Sequence, residues 1–393
     1  MNSPSPRTDA TRNLVIATAA FALCFTAWGL LAPLARKFED DWGLSSFETS
    51  VIVAIPVVLG SLLRIPVGAL TDRIGGRRAF AAVMVLSAPP ALLLGYVDSY
   101  WALVATGFLL GVSGSSFAAG VPFVAGWYAK ERQGFAVGVY GMGNIGTAVA
   151  AFGAPVIVEW LGRPALGWIV ALVLVAAAVG VYVAAQDPER RGPPARYGEV
   201  LRSGWPLWRL ATFYFVTFGG FVAMAVFLPK LLKDWFDLTL VDAGLRAAGF
   251  TVVATLARPT GGWLSDRIGA TIVLMVVFAG IGIDAAVLAA LAGDPEIVSV
   301  TVACLTLAAF LGAGNGAVFK LVPLEFPQAT GAATGIVGAA GGLGGFFPPL
   351  VMGVVKDATD SYALGFLGLL VCCGACLWIA VRLWRTARPL AAA

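Results

Sequence analysis

Apolar and polar positions do not alternate along this chain with the short period of a strand or a half-buried helix. They come in blocks. Twelve stretches of about 20 residues are almost wholly apolar: 14–35, 49–70, 79–97, 101–128, 134–157, 165–185, 207–229, 241–264, 270–292, 297–323, 332–355 and 362–384. Short polar joints separate them. At 1.5 Å rise per residue each block makes a helix long enough to cross the ~30 Å hydrocarbon core of a bilayer. The pattern predicts an all-α membrane protein with twelve transmembrane helices and no room for a soluble catalytic domain.

The longest polar joint, residues 186–206, is charged and rich in proline and glycine, and it falls between spans 6 and 7. It divides the chain into a six-helix half (1–185), a linker and a second six-helix half (207–393), and the halves repeat each other. Gly68, Asp72, Arg73, Ile74 and Gly75 return as Gly262, Asp266, Arg267, Ile268 and Gly269 at a constant offset of 194. Arg64 and Arg258 share that offset, each eight residues before its aspartate, which puts each guanidinium roughly 12 Å inside the loop, near mid-membrane. Arginine at that depth costs at least ~2.5–3.5 kcal/mol and so faces protein or water with a task to perform. Two arginines equivalent by repeat are expected to face each other across a central cavity and bind an anion. A guanidinium fork suits a small oxyanion: it offers two parallel donors and stays charged at any accessible pH. Acidic partners inside the spans are scarce, Asp284 in span 9 being the clearest.

Two spans carry glycine at unusual density. Span 5 has Gly138, Gly141, Gly143 and Gly146 around the lone amide of Asn144; span 11 has Gly335, Gly338, Gly341, Gly342, Gly344 and Gly345. Small residues let helix backbones approach closely or slide. The glycines Gly141, Gly143, Gly146, Gly338, Gly341, Gly342 and Gly344 are therefore candidates for conformational parts.

The loop motif Gly68-x-x-x-Asp72-Arg73-x-Gly75-x-Arg77-Arg78, with its shorter echo at Gly262, Asp266, Arg267 and Gly269, resembles that of the major facilitator superfamily over essentially the whole chain. Asp72, Arg73, Arg77, Asp266 and Arg267 read as a cytoplasmic gate, each aspartate meeting basic groups or a helix N-terminus when the carrier is closed on that side. The paired arginines with two glycine-rich spans resemble, more narrowly, the nitrate/nitrite porter family. Tyr214-x-x-x-Phe218-Gly219 in span 7 and Phe117-Ala118-Ala119-Gly120 in span 4 fit the same resemblance. It implies that Arg64 and Arg258 clamp the anion, that Asn144 and Tyr214 add neutral hydrogen bonds, and that Phe117 and Phe218 wall its plane. A span 1 aromatic, Phe25 or Trp28, is expected to complete the walls. The resemblance further implies a secondary carrier for nitrate, with nitrite as second substrate, working by alternating access as a monomer. Proton symport reads ahead of nitrate/nitrite exchange, with Lys320 in span 10 as the coupling candidate. A carrier for another small anion (a carboxylate or phosphate ester) and a non-transporting nutrient sensor stay open as alternatives.

Composition narrows this picture further. Charged residues make up 12% of the chain against about a quarter in soluble proteins. The net charge of +4 describes loops, with no basic stripe for nucleic acid. All five cysteines fall within predicted spans and there is no histidine, so neither a disulfide framework nor a metal or cofactor site is expected. With the N-terminus inside, sixteen basic residues lie on the cytoplasmic side and seven outside, the other three being Arg64, Arg258 and Lys320. That bias predicts a multi-pass protein of the cytoplasmic (inner) membrane with both termini in the cytoplasm. No nucleophile–base pair or phosphate loop suggests an enzyme.

Overall fold

The computed structural model describes residues 6–189 and 197–387. Four of the sixteen basic residues assigned to the cytoplasmic side, Arg190, Arg191, Arg196 and Arg388, lie outside them. Every regular element among the described residues is helical. The first half contains α1 (Pro6–Trp28), α2 (Leu31–Trp42), α3 (Ser46–Leu62), α4 (Arg64–Ile74), α5 (Gly76–Leu93), α6 (Tyr100–Gly114), α7 (Ser116–Trp127), α8 (Gln133–Gly141) and α9 (Gly146–Ala184). After the short α10 (Tyr197–Arg202) come α11 (Trp205–Phe236), α12 (Leu240–Ile268), α13 (Ala270–Leu291), α14 (Ile297–Glu325), α15 (Thr330–Thr359) and α16 (Ala363–Ala387).

Eight of the helical stretches are long and apolar enough to cross a bilayer, and one of these, 130–184, holds two of the predicted spans. Gly162, at φ 84°, bends α9 between them. The remaining predicted spans are α5, whose 18 residues include Arg77 and Arg78 as well as two prolines, α12, which carries several charges, and the glycine-rich α15. Large apolar side chains stand out on the surface, Val183 at 76% exposed and Trp160 at 79%. In water these would be an aggregation liability; against lipid they are at home.

Several spans are broken where the sequence weakens the helix ladder. Span 1 bends at Gly29–Leu30 and continues as α2, an amphipathic helix that buries Leu31, Leu34, Ala35 and Phe38. Span 2 breaks at Leu63, because Pro66 brings no N–H to the carbonyl one turn back. Span 4 breaks at Ser115. There the Ser113 and Ser115 hydroxyls donate to the carbonyls of Leu110 and Val112, at 2.6 Å each, and compete with the regular ladder. Span 5 is interrupted between α8 and α9 by a 3₁₀ turn, Met142–Ile145. Span 11 runs through as one helix.

The chain packs into two compact units. The first comprises residues 1–129, 139–203 and 326–339; the second comprises 130–138, 204–325 and 340–393. The opening turns of α8 therefore belong to the second unit and those of α15 to the first. The first unit is centred on fully buried Phe21, Phe38, Phe80 and Tyr140, the second on Phe213, Tyr214, Phe250 and Phe278.

Candidate functional site

In the first unit the break in span 4 prepares a place for Arg64. Ending α6 at Gly114 frees that residue's carbonyl from the helix ladder, and Arg64 Nε donates to it at 3.2 Å. A terminal guanidinium nitrogen donates to the Gly338 carbonyl at 2.7 Å. The charge lies 5.7 Å from the Phe117 ring centre, and the side chain is 3% exposed. A Cβ at Gly338 would sit 3.1 Å from Arg64 Cδ, so a larger residue there would press on the arginine stem. These partners are dipoles and a ring face, and they aim the fork. Behind Phe117 stand Tyr140, stacked at 5.7 Å, and Phe21 at 5.4 Å. The Tyr140 hydroxyl donates to the Ser116 carbonyl at 3.2 Å and fixes the stack.

The span 1 aromatic against Phe117 is thus Phe21. Phe25 packs on Phe21 at 4.3 Å, and Trp28 donates its indole N–H to the Pro56 carbonyl. Asn144 is buried within the 3₁₀ turn of span 5. Gly143 and Gly146 of the same span lie against Phe21 and the Ala22 carbonyl of α1, and Gly141 is buried beside them in the chain.

The second unit repeats the arrangement with different neighbours. Arg258 is 3% exposed, with its guanidinium 5.3 Å from the Phe218 ring and 5.7 Å from Phe221. Pro259 follows it, as Pro66 follows two residues after Arg64. Tyr214 and Phe218 are stacked nearly parallel, 4.9 Å apart and 4° between planes, and Phe319 meets Tyr214 edge-on at 4.6 Å. A Cβ at Gly341 would enter the Tyr214 ring, and Gly344 lies against the Phe215 carbonyl and Gly219. Gly342 is buried in the same helix.

Residue pattern alone did not single out Phe21, Phe221 or Phe319; inside an apolar span an aromatic carries no mark of its neighbour. Unsatisfied polar groups give another signal. Asn315 is 3% exposed, and neither amide atom has a hydrogen-bond partner among the described residues. The hydroxyls of Thr255, one turn before Arg258, and Thr334, one turn before Gly338, are in the same condition. Leaving such groups dry costs about 1–3 kcal/mol each, so they mark surfaces that a polar ligand or water would satisfy.

At the other end of α4 and α12 the two aspartates do the same work. Asp72 accepts the backbone N–H groups of Gly331 and Ala332, both at 2.8 Å, at the start of α15. Asp266 accepts those of Gly134 and Phe135, at 3.0 and 2.8 Å, at the start of α8. Carboxylates at helix N-termini satisfy orphan donors and oppose the positive end of the dipole. In each case the approach needs glycine on both helices: Gly68 against Gly331, and Gly262 against Gly134.

Lys320 belongs to this end. Its ammonium lies 2.5 Å from Asp266 Oδ1, contacts the Lys130 carbonyl and is 7% exposed. Of the basic residues of the motif, Arg73 is exposed, Arg77 covers the Tyr182 ring at 5.0 Å, and Arg267 covers Trp263 at 4.6 Å. The Arg77 backbone N–H donates to Asp187 at 2.9 Å. Asp284, in α13, accepts from the Thr306 hydroxyl at 2.9 Å.

Comparison with known proteins agrees with this architecture. Residues 17–349 match the Major Facilitator Superfamily. A "Nitrite extrusion protein" of Bacillus subtilis (strain 168) is 43% identical over 352 residues, covering 88% of this chain and 87% of the relative. A "Probable nitrate/nitrite transporter NarK2" of Mycobacterium tuberculosis (strain ATCC 25618 / H37Rv) is 44% identical over 366 residues, 90% of this chain and 92% of the relative. The crystal structure of the human organic anion transporter MFSD10 (TETRAN) has the same fold, with a TM-score of 0.77 at 15% identity over 96% of this chain and 100% of that one. This multi-pass membrane protein is a transporter and not an enzyme, and it belongs to the nitrate/nitrite porter family of the major facilitator superfamily.

Proposed function

We propose that the protein carries nitrate, with nitrite as second substrate, across the cytoplasmic membrane by alternating access, with Arg64 and Arg258 binding the anion. The observation that carries this reading is the buried pair of arginines, each aimed by dipoles or rings with its charge over a phenylalanine face. A planar monoanion takes two parallel N–H donors from a guanidinium and leaves its faces to apolar or aromatic contact. Asn144 and Tyr214 are the neutral hydrogen-bonding residues in this reading, and Phe117 and Phe218 the walls. The relatives named for nitrate or nitrite transport support the substrate class.

In the same reading the chain acts as a monomer with both termini in the cytoplasm. Asp72 and Asp266 then hold the cytoplasmic side closed through their helix N-termini. The glycines facing those contacts allow the helices to part and rejoin. Protons drive net nitrate uptake, and Lys320, held by Asp266, is the coupling residue in this reading. The deciding experiment is uptake of labelled nitrate into proteoliposomes with an imposed pH gradient, with and without internal nitrite. Uptake by the wild type in either condition, competed by nitrite, is expected. Transport of a carboxylate or phosphate ester with nitrate ignored would discard the substrate assignment. Specific nitrate binding without flux would favour a sensor.

A further inference from the structure

Within the second unit a crevice of about 300 Å³ lies between α11, α15 and α16, at the lower end of the usual size for a ligand cleft. Its lining is apolar: Phe215, Met224 and Phe227 from α11, Val351 from α15, and Gly368 and Cys372 from α16. Its lining residues Phe347 and Val351 are half exposed, on the kind of surface that a bilayer covers. Glycine creates the hollow. At Gly365 the space is already taken by the Met352 thioether, but a Cβ added at Gly368 meets nothing within 4 Å.

A cavity of this polarity does not hold water, and left empty its walls forfeit dispersion contacts. The medium continuous with its mouth is lipid hydrocarbon. From Gly365 to Cys372 the groove follows about 10 Å of α16, running along the helix axis as an acyl chain does. We propose that one acyl chain of a membrane phospholipid occupies this crevice and wedges α11 against α15. The two helices cross closely one turn away, where Gly344 meets the Phe215 carbonyl and Gly219. The adjoining face of α11 carries Tyr214 and Phe218. A chain in the crevice therefore bears on the helix crossing that would have to move during transport. The wedge rests on the transport reading; occupancy of the crevice does not.

The test is photocrosslinking in nanodiscs of phosphatidylethanolamine and phosphatidylglycerol, with a diazirine placed on an acyl chain, followed by peptide mapping. Adducts on 347–352 and 365–372 should exceed several-fold those on the exposed lipid-facing row Leu172, Val179 and Val183. Gly368→Leu fills the open space and should bring the crevice adducts down to the level of that row, which itself stays unchanged. Gly368→Ala, the milder substitution, should lower them partway. Equal labelling of both surfaces in the wild type, or enriched labelling that neither variant reduces, would overturn the site. Because the mapping uses no nitrate, its outcome is separate from that of the transport assay. If Gly368→Leu also changes the nitrate exchange rate at least twofold, the wedge stands; an unchanged rate after loss of the adducts removes it.

Discussion

A guanidinium buried against a phenylalanine with carbonyls on its donors is a geometry that lysine cannot copy. Arg64 holds Gly114 and Gly338 with two separate nitrogens, whereas an ammonium is a single point donor on a flexible stem. Losing one charge-assisted hydrogen bond is worth about 1.5–3 kcal/mol. Arg64→Lys and Arg258→Lys should each lower nitrate transport by roughly tenfold or more. Proteoliposome uptake at matched protein content measures this; near-normal flux in either variant would remove the arginine pair from the mechanism. Asn315 gives a sharper test because structure and function pull in opposite directions. Burying a dry amide costs stability, so Asn315→Leu, of similar size, should raise the melting temperature. If that amide serves the substrate path, the same substitution should lower flux. A stabilised variant with undiminished flux would leave Asn315 as a tolerated defect. At this scale the arginines were legible because depth in an apolar block and an equal spacing to Asp-Arg-Ile-Gly are properties of sequence. Phe21 and Phe221 were not, since neither shares a motif and only folding sets them beside Phe117 and Arg258.

Among the helices, glycine density was plain to read but its division of labour was not. Gly68, Gly134, Gly262 and Gly331 serve the aspartate contacts; Gly143 and Gly146 serve α1; Gly341 and Gly344 serve α11. By contrast Gly180 meets nothing within 4 Å, and the Gly180→Ala control should leave flux unchanged while gaining about 0.5–1 kcal/mol of helix stability. The aspartate contacts have a conformational signature. An amide in place of Asp72 offers a single acceptor oxygen and no negative charge to two N–H groups at a helix N-terminus, an effect worth about 0.3–2 kcal/mol. Asp72→Asn should therefore loosen the start of α15. Thr330, 8% exposed, provides the reporter: a Thr330→Cys variant should label several-fold faster with a membrane-impermeant maleimide once Asp72→Asn is added. Unchanged labelling would reduce Asp72 to a helix cap without a gating role. The breaks at Leu63 and Ser115 follow from proline and serine chemistry already present in the sequence, yet hydropathy alone carries them through as continuous spans.

Across the whole molecule the twelve blocks and the repeat were visible because membrane thickness imposes a length and duplication imposes an offset. Hydropathy says nothing about which neighbour a helix chooses. The packing of 326–339 with the first unit and 130–138 with the second therefore could not be read in advance. The duplication is not exact in its charges: 194 residues after the Arg77-Arg78 pair stand Thr271 and Ile272. Asp72 and Asp266 each hold two backbone donors, Asp266 also holds Lys320, and the position 194 residues before Lys320 is Gly126. A carboxylate bound by an ammonium in a dry setting attracts it more strongly than an exposed pair does, because the attraction is little screened. Removing the Lys320 charge would thus weaken the contact at the start of α8, which gives Lys320 leverage over that gate. Lys320→Gln keeps a hydrogen-bond donor but removes the charge, so it should abolish net uptake driven by a pH gradient while leaving exchange of external nitrate for internal nitrite. Net pH-driven uptake persisting in Lys320→Gln would clear Lys320 of coupling. Wild-type uptake that needs internal nitrite or nitrate and ignores pH would make the protein an exchanger. In that case the returning anion resets the carrier, and the Lys320–Asp266 pair serves only to hold the gate shut.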